Sequence, residues 1–357
     1  MKYLLVTLNG FGEILKEKKG ERSLYEFARK ENLEKIAKKG TWGHVLLGKT
    51  QEKSYFSFFG FPNKEFPGES YLRCLENEIE IENNRSIFLG NFITHYHGKI
   101  VETKVNLSEK ENFSLLTYLY EREKGFSFQV FKNGFVLIFR KKFPAFYFPY
   151  PVNLKNKNYR SFLPQDKEFK EIKDLIEASG KILENHIINK IRADLGESVA
   201  NLLWLWGKGE KKPFISVMEK YNIKTYFFSF SNKLTGLAKF LDFEIKKDFS
   251  LERKEQTLLW VQISLPEEKN PSIWLKHFET FDKEILGRVI DRFEEGKYKI
   301  LLIFDRFLNE ELELLNHWAV FLKAGEENKK RFFQRRSYRK SSSLISDFLD
   351  KYHFLAL

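Results

Sequence analysis

The chain has 357 residues, 42% of them hydrophobic, which is enough to bury a substantial core and to fold without a partner. Its formal net charge of +12 favours anionic ligands or partners, and its single cysteine, Cys74, excludes an internal disulfide and a cysteine-cluster metal site. The longest apolar runs are too short to cross a bilayer and the N-terminus has no signal-peptide pattern, so we expect a cytoplasmic protein without a membrane span.

The first residues predict the beginning of an α/β sheet. The apolar run at residues 2–8 indicates a buried strand that ends at Asn9, and Ser23 is a suitable N-cap for a helix that extends to about Lys39. The chain contains 37 phenylalanines, two methionines and 31% charged residues, which favours a thermophile-like charged surface over a phenylalanine-rich core. In that context we interpret Cys74 as a small core residue.

The pattern of apolar and turn-forming residues changes between residues 76 and 165, where short alternating or aromatic runs are separated by Asn, Gly and Pro. This pattern predicts an inserted, β-rich α+β subdomain. Apolar strands and amphipathic helices then alternate again, as in "NLLWLWG", "LLWVQIS" and "YKILLIF". Continuous apolar strands predict a mostly parallel sheet with helices on both faces. We therefore predict an α/β core at 1–75 and 166–357, with the inserted subdomain at 76–165.

The most specific motif in the chain lies between Glu184 and Pro213. Polar and aromatic residues recur there at set intervals: His186, Asn189, Arg192, Asn201 and Trp206. This block resembles the archaeal-type cofactor-independent phosphoglycerate mutases of the alkaline phosphatase superfamily, and weaker patterns extend the resemblance over nearly the whole chain. The resemblance implies an alkaline-phosphatase-like core that carries the predicted insertion.

The resemblance also implies a two-metal mechanism in which a serine takes the phosphoryl group and returns it to the other hydroxyl of glycerate. The chain departs from that pattern at the matching positions, which hold Asn9 for an aspartate, Gln51 for the serine, and Tyr55, Pro271 and Arg306 for histidines. Three potential metal ligands remain, namely Glu267, Asp305 and His317. They could hold one ion, or Arg306 could form an ion pair with Asp305.

A site with these substitutions lacks the negative charge that two divalent ions require. We therefore expect no metal cofactor, and a binding or regulatory protein whose partner is a phosphorylated small molecule or an unknown protein. The alternative is an active mutase that converts 3-phosphoglycerate to 2-phosphoglycerate at a rebuilt site with Mn²⁺ or Mg²⁺. Ser54 and Ser57 lie nearest to the missing nucleophile, although both also suit an ordinary helix.

Two groups of candidate substrate-binding residues follow from the resemblance. His186, Asn189, Arg192 and Asn201 would lie near the substrate or at a domain seam, or would instead satisfy buried backbone groups. The stretch "THYHGKI" matches the substrate-binding turn of the family, so His95, His97 and Lys99 could bind an anion. The two histidines, two positions apart on a strand, would share one face as a metal pair or as half-exposed polar residues.

The segment 329–343 is strongly basic. It carries seven Lys or Arg residues with aromatic residues between them, a pattern that could follow a nucleic-acid backbone. The other interpretation, which we favour, is a solvated terminal loop that accounts for part of the net charge.

Overall fold

The computed structural model describes residues 2–9, 18–19, 22–38, 40–47, 50–132, 134–229, 234–247, 257–264, 270–288, 298–304, 317–325, 335–338, 344–345 and 349. The chain divides into two units. The first unit comprises Met1–Phe66 and Phe214–Leu357, and the second unit comprises Pro67–Pro213.

The described strands are β1 (Lys2–Asn9), β2 (Lys18–Lys19), β3 (Arg22–Ser23), β4 (Gly40–Leu47), β5 (Ser86–Tyr96), β6 (Lys99–Glu102), β7 (Phe126–Phe131), β8 (Gly134–Phe139), β9 (Leu202–Gly209), β10 (Lys224–Ser229), β11 (Glu244–Ile245), β12 (Thr257–Ser264), β13 (Tyr298–Phe304), β14 (His317–Gly325) and β15 (Arg335–Tyr338). The described helices are α1 (Leu24–Phe27), α2 (Glu31–Lys38), α3 (Gln51–Phe58), α4 (Glu69–Glu76), α5 (Glu109–Arg122), α6 (Lys170–Glu184), α7 (Ile187–Asp194), α8 (Val217–Tyr221), α9 (Thr235–Phe240) and α10 (Pro271–Thr280). Residues Phe281–Leu286 continue α10 as a π-helix, and 3₁₀ turns lie at Asn63–Glu65, Pro151–Leu154, Tyr159–Phe162 and Lys167–Phe169.

The first unit contains the predicted sheet. Its described strands follow the order β11-β10-β12-β1-β13-β14-β4-β15. The pairs from β11 to β13 are parallel, whereas β14 runs antiparallel to both β13 and β4. The predicted mostly parallel α/β core is therefore confirmed, with an antiparallel strand toward one side of the sheet.

Both faces of this sheet are covered, because successive residues of a strand point to opposite sides. On one face, Val6 of β1 lies in a buried cluster with Leu33 of α2 and Phe278 of α10. On the other face, the ring of Trp260 lies 5.5 Å from that of Tyr55 in α3. Helices thus bury the sheet on two sides, as the continuous apolar strands predict.

The single helix predicted from Ser23 to Lys39 is two helices in the structure, α1 and α2. The start of α2 is capped from elsewhere in the chain: the carboxylate of Asp282 accepts hydrogen bonds from the N–H groups of Asn32 at 3.0 Å and Leu33 at 2.7 Å. These donors would otherwise lack partners at a helix N-terminus. Asp282, the residue that caps the start of α2, is therefore far from this helix along the chain.

The second unit is an antiparallel sheet with helices. Its strands follow the order β6-β5-β8-β7, and β9 pairs with β5. The apolar run "NLLWLWG" predicts a strand of the parallel core, but as β9 it runs antiparallel to β5 and belongs to this unit. The unit consequently spans 67–213 rather than 76–165, because an apolar run specifies burial and not which strand it will pair with.

The described part of the basic segment is a strand. Arg335–Tyr338 form β15, which pairs in parallel with β4, so these four residues are not the terminal loop that we expected. The rest of segment 329–343 lies outside the described residues. None of the helices that the structure describes is long and apolar enough to cross a membrane.

Cys74 lies inside α4 and is fully buried. Burial raises the pKa of its thiol to about 12, because the charged thiolate is poorly solvated there. The thiol is therefore protonated at neutral pH, which agrees with its interpretation as a core residue.

Candidate functional site

The carboxyl ends of β1, β10 and β12 form the candidate site of the first unit. Ligands of open α/β sheets bind beyond these strand ends, where side chains from neighbouring strands meet. Asn9, the last residue of β1, is in register with Ser264, the last residue of β12. Ser229 at the end of β10 is likewise in register with Gln262 of β12.

The ends of β10 and β12 are joined by a chain of neutral hydrogen bonds. The Ser229 hydroxyl donates to Oε1 of Gln262 at 2.8 Å, and Nε2 of Gln262 donates to Oγ of Ser264 at 2.7 Å. Gln262 is fully buried, so its amide depends on these partners in place of water. We call Asn9, Ser229, Gln262 and Ser264 the neutral edge.

The neutral edge does not fit a divalent metal site. Mn²⁺ and Mg²⁺ prefer carboxylates among protein ligands, and a pair of ions needs several of them to offset its charge. Amides and hydroxyls supply no negative charge. Within the described ranges, no group of three or more His, Cys, Asp or Glu residues could hold a metal ion.

The remaining ligand candidates of the first unit are only partly described. Glu267, Asp305 and Arg306 lie outside the described residues. His317 begins β14, where its backbone pairs with Leu47 of β4. Pro271 is the first residue of α10, after the N-cap Asn270, whose side chain accepts a hydrogen bond from Ser272 N–H. A proline suits this first helical position because the N–H that it lacks would have no helical partner.

The position predicted for the nucleophile begins a helix. Gln51 is the first residue of α3, and Thr50 is the N-cap whose side chain accepts from Lys53 N–H. Tyr55, at the position of a family histidine, is fully buried against Trp260 and fills the core. The two nearby serines bond to the protein itself: Ser54 donates to the Thr50 carbonyl, and Ser57 donates to Oδ1 of Asn63 at 2.9 Å.

His186 has a clear local role in the second unit. It is the N-cap of α7, where its Nδ1 accepts a hydrogen bond from Ile188 N–H at 3.1 Å, and its Nε2 lies 3.3 Å from the Ser114 hydroxyl. Burial lowers the pKa of His186, and Arg122 lowers it further. The ring is therefore neutral at physiological pH, with Nδ1 as the acceptor.

Asn189 is 3% exposed and joins two distant pieces of backbone. Its Nδ2 donates to the carbonyls of Leu183 at 2.8 Å and Ala200 at 2.9 Å, and its Oδ1 accepts from Ala200 N–H at 2.7 Å. All of these partners are main-chain groups of the protein. The geometry thus supports the interpretation that Asn189 satisfies buried backbone groups.

Arg192 is also bound within the protein. Its Nε donates to the Ser198 carbonyl at 2.8 Å, and its guanidinium contacts the carboxylates of Glu111 at 3.3 Å and Glu197 at 3.2 Å. Its side chain is only 12% exposed. The guanidinium therefore links the beginning of α5 to the segment after α7.

Asn201 and His95 form a reciprocal pair. The Asn201 Oδ1 accepts from His95 N–H at 2.9 Å, and its Nδ2 donates to the His95 carbonyl at 2.9 Å. Burial lowers the pKa of the His95 ring, with Arg160 and His97 adding to this effect and Glu184 opposing it. His95 is consequently neutral at physiological pH, and its Nδ1 accepts a hydrogen bond from Gly98 N–H at 3.3 Å.

The two histidines of "THYHGKI" do not share one face of a strand. His97 and Gly98 form the two-residue turn between β5 and β6, with φ of 49° and 86° as in a type I′ hairpin. The metal-pair hypothesis assumed an extended backbone through His97, and the turn removes that assumption. His97 and Lys99 are exposed at this hairpin.

A further cation lies beside the hairpin. A Cβ atom at Gly98 would be 2.7 Å from Nη1 of Arg160, so the guanidinium lies against the turn. The same guanidinium is 5.1 Å from the ring centroid of Tyr159. Exposed Lys99 and Arg160, together with the neighbouring exposed imidazole of His97, form a group that we call the hairpin cations after the lysine and the arginine. Sequence reasoning missed Arg160 because it lies some sixty residues along the chain in a 3₁₀ turn without a recognisable motif.

Sequence comparison with known proteins finds similarity to phosphoglycerate mutases. The family model described as "2,3-bisphosphoglycerate-independent phosphoglycerate mutase" matches residues 51–189. The "2,3-bisphosphoglycerate-independent phosphoglycerate mutase 2" of Methanocaldococcus jannaschii is 28% identical over 283 residues, which are 71% of this chain and 66% of the relative. The mutase of Methanosarcina mazei is 25% identical over 342 residues, 85% of each chain.

Solved structures show the same fold. A cofactor-independent phosphoglycerate mutase from Thermoplasma acidophilum superposes with a TM-score of 0.60 and 17% identity, and the match covers 98% of both chains. A protein from Pyrococcus horikoshii superposes with a TM-score of 0.65 and 17% identity, covering 98% of this chain and 96% of the other. The predicted alkaline-phosphatase-like fold is thereby confirmed.

Proposed function

We propose that the chain, which is similar to the 2,3-bisphosphoglycerate-independent phosphoglycerate mutases, is a homologue of them that acts by binding and has lost the two-metal serine chemistry. The neutral edge carries this proposal. Asn9 stands where the resemblance implies a metal-binding aspartate, and Ser264 ends the neighbouring strand in register with it. An amide cannot replace a carboxylate beside two divalent cations, because it supplies no charge.

The internal bonding of the neutral edge supports the same proposal. Both polar atoms of the buried Gln262 amide are used by Ser229 and Ser264. A metal ion would have to replace these hydrogen bonds with coordination by uncharged groups, at a desolvation cost that nothing described at this edge offsets. We accordingly propose that the protein has no resident metal. We propose separately that it functions in the cytoplasm.

The hairpin cations support a phosphorylated small molecule as the ligand. His97 and Lys99 are exposed at one hairpin, and the exposed guanidinium of Arg160 lies against its turn. A guanidinium can donate two parallel hydrogen bonds to a phosphate or carboxylate. 3-Phosphoglycerate carries both kinds of group. A protein partner in place of this small molecule remains the second form of the binding proposal.

The competing function is an active mutase with a rebuilt site. It is favoured by relatives with that name whose matches cover 85% of this chain, and it would depend on Glu267, Asp305 and His317. In that case Mn²⁺ or Mg²⁺ would be required, and another group would take over the phosphoryl transfer from the position that Gln51 now occupies.

A coupled assay separates these functions. Conversion of 3-phosphoglycerate to 2-phosphoglycerate is followed on chelator-stripped protein with and without Mn²⁺, together with analysis of bound metal. We expect no turnover and no stoichiometric metal. Metal-dependent turnover that survives Gln51→Ala and disappears in Asp305→Ala would overturn the proposal.

Calorimetric titration tests the ligand. We expect 3-phosphoglycerate to bind the wild-type protein and to bind Arg160→Met at least tenfold more weakly, since one charge-assisted contact contributes roughly 1.5–3 kcal/mol. Lys155→Met, a change of another exposed cation in the preceding loop, is the matched control and should leave the affinity unchanged. Equal affinities of all three proteins would remove the hairpin cations from the binding site.

A further inference from the structure

Two lysines lie within 4 Å of one carboxylate at the end of β9 in the second unit, and a third lysine, Lys208, precedes that carboxylate by two residues. Nζ of Lys142 lies 3.9 Å from Oε2 of Glu210, and Nζ of Lys212 lies 3.7 Å from its Oε1. Lys208 interacts electrostatically with all three of these groups. We call these four residues the lysine cluster. It combines three positive charges with one negative charge.

The backbone beneath the lysine cluster is held by close packing against the beginning of α4. A Cβ atom at Gly68 would lie 2.0 Å from the Lys208 carbonyl oxygen, and one at Gly209 would lie 2.6 Å from Tyr71 N. The Glu210 N–H also donates to the Pro67 carbonyl at 2.9 Å. This close approach leaves no space for a side chain at either glycine, so the stems of Lys208 and Glu210 start from a fixed backbone.

The charges of the lysine cluster are partly removed from water. The exposed fractions of the side chains are 49% for Lys142, 29% for Lys212 and 21% for Glu210. Burial lowers the pKa of Lys208; Lys212 and Lys142 lower it further, and Glu210 opposes them. Like charges held this close repel one another, and a bound anion would relieve that repulsion.

We propose that the lysine cluster binds a doubly charged phosphate, either inorganic phosphate or the phosphate group of a small monoester. A dianion would balance the two excess positive charges. Each ammonium group offers up to three donors on a flexible stem, which suits a tetrahedral ligand approached from several directions. Glu210 holds Lys142 and Lys212 in place before the ligand arrives, at some cost in affinity because its own charge opposes the anion.

This site is independent of the proposed function. It uses neither the neutral edge nor the hairpin cations, and all of its residues belong to the second unit. The binding proposal and the lysine-cluster proposal can therefore fail separately: Arg160→Met reports on the hairpin cations, and Lys208→Met reports on the lysine cluster.

The test is calorimetric titration of the full chain with inorganic phosphate and, separately, with glycerol 3-phosphate, at constant ionic strength set with NaCl. We expect saturable binding that Lys208→Met weakens about tenfold, the ratio that corresponds to 1.4 kcal/mol. Lys190→Met, which removes an exposed lysine of α7 in the same unit, is the matched control and should bind like the wild type.

The Glu210→Gln variant should change the affinity for phosphate in the opposite direction. Removing the negative charge while keeping the shape of the side chain should tighten phosphate binding several-fold, and a misfolded variant could not produce such a gain. Tighter binding of glycerol 3-phosphate than of inorganic phosphate would identify a monoester as the ligand, and equal binding would identify phosphate itself. The proposal is overturned if wild-type binding does not saturate, if Lys208→Met and Lys190→Met behave alike, or if Glu210→Gln fails to bind more tightly.

Discussion

The side chain of Asn189 forms hydrogen bonds to both main-chain polar groups of Ala200, accepting from its N–H at 2.7 Å and donating to its carbonyl at 2.9 Å. A third bond reaches the Leu183 carbonyl. One buried amide thus fastens the segment before β9 to the end of α6. Residues that the sequence presented as ligand contacts are, by geometry, bonded to the protein's own backbone.

Replacing Asn189 with leucine should therefore destabilise the protein. The N–H and carbonyl of Ala200 would stay buried without these partners, and we expect a loss of about 2–4 kcal/mol in the free energy of unfolding. Urea denaturation measures it. Asn185→Ala is the control, because that exposed amide makes one bond, to the Lys181 carbonyl at 3.2 Å. Equal losses in the two variants would show that Asn189 has no special structural role.

Gly60→Ala should cost more stability than Gly196→Ala. Both glycines have positive φ, 79° and 71°, so an alanine introduces backbone strain of about 1 kcal/mol at either position. At Gly60 the new Cβ would also lie 2.7 Å from the Tyr221 hydroxyl and 2.9 Å from Lys220 Nζ, whereas at Gly196 it would meet no atom of the described residues within 4 Å. The difference between their unfolding free energies isolates the packing term. No difference would mean that α8 shifts freely to make room.

The buried His186 should make stability depend on pH. Burial lowers its pKa in the folded protein, so the unfolded chain binds the proton first as the pH falls below about 6.5. The free energy of unfolding therefore decreases as the pH falls, until the pH is below the lowered pKa of the folded state. His186→Asn keeps an N-cap acceptor and should flatten the decline between pH 7.5 and pH 5, leaving the part due to His95. Urea unfolding at several pH values measures this slope. His277→Asn, a change of an exposed histidine in α10, is the matched control, and an identical slope in wild type and His186→Asn would contradict the assignment.

Asp282→Ala should destabilise the start of α2. The carboxylate accepts from two backbone N–H groups there, and its removal leaves both without that partner at a cost of about 2–3 kcal/mol. Thermal unfolding followed by circular dichroism detects the loss. Glu279→Ala is a matched control, since Glu279 accepts a single exposed bond from Arg29 N–H at 2.9 Å. Comparable destabilisation by both changes would argue against a capping role for Asp282.

Chelation should leave the stability of the protein unchanged. A ligand that binds only the folded state at 100 times its Kd stabilises by about 2.7 kcal/mol, so removal of a structural or catalytic metal would lower Tm by several degrees. Because the neutral edge carries no charge, we expect the same Tm with EDTA, with Mn²⁺ and with Mg²⁺. A Tm that rises with Mn²⁺ and falls with EDTA would instead favour the active-mutase alternative.

The fold was largely predictable from the sequence, and the bonding of the candidate site was not. The amide and imidazole groups of His186, Asn189 and Asn201 suit a ligand and a backbone equally well, so spacing alone left both uses open. Distances decide in favour of backbone partners in the structure. Arg160 had no motif at all, and only the turn at Gly98 brings it beside His97 and Lys99.

What the sequence determined by itself was burial: continuous apolar runs predicted β1, β12 and β13 as strands of a covered parallel sheet, because burial on both faces is a property of the run itself. Only the tertiary structure decided which strands pair and which residue caps a helix. The equally apolar β9 pairs with β5 in the second unit, and α2 begins where the distant Asp282 caps it. Pairing and capping join residues far apart along the chain, so their energies depend on contacts that no local pattern contains.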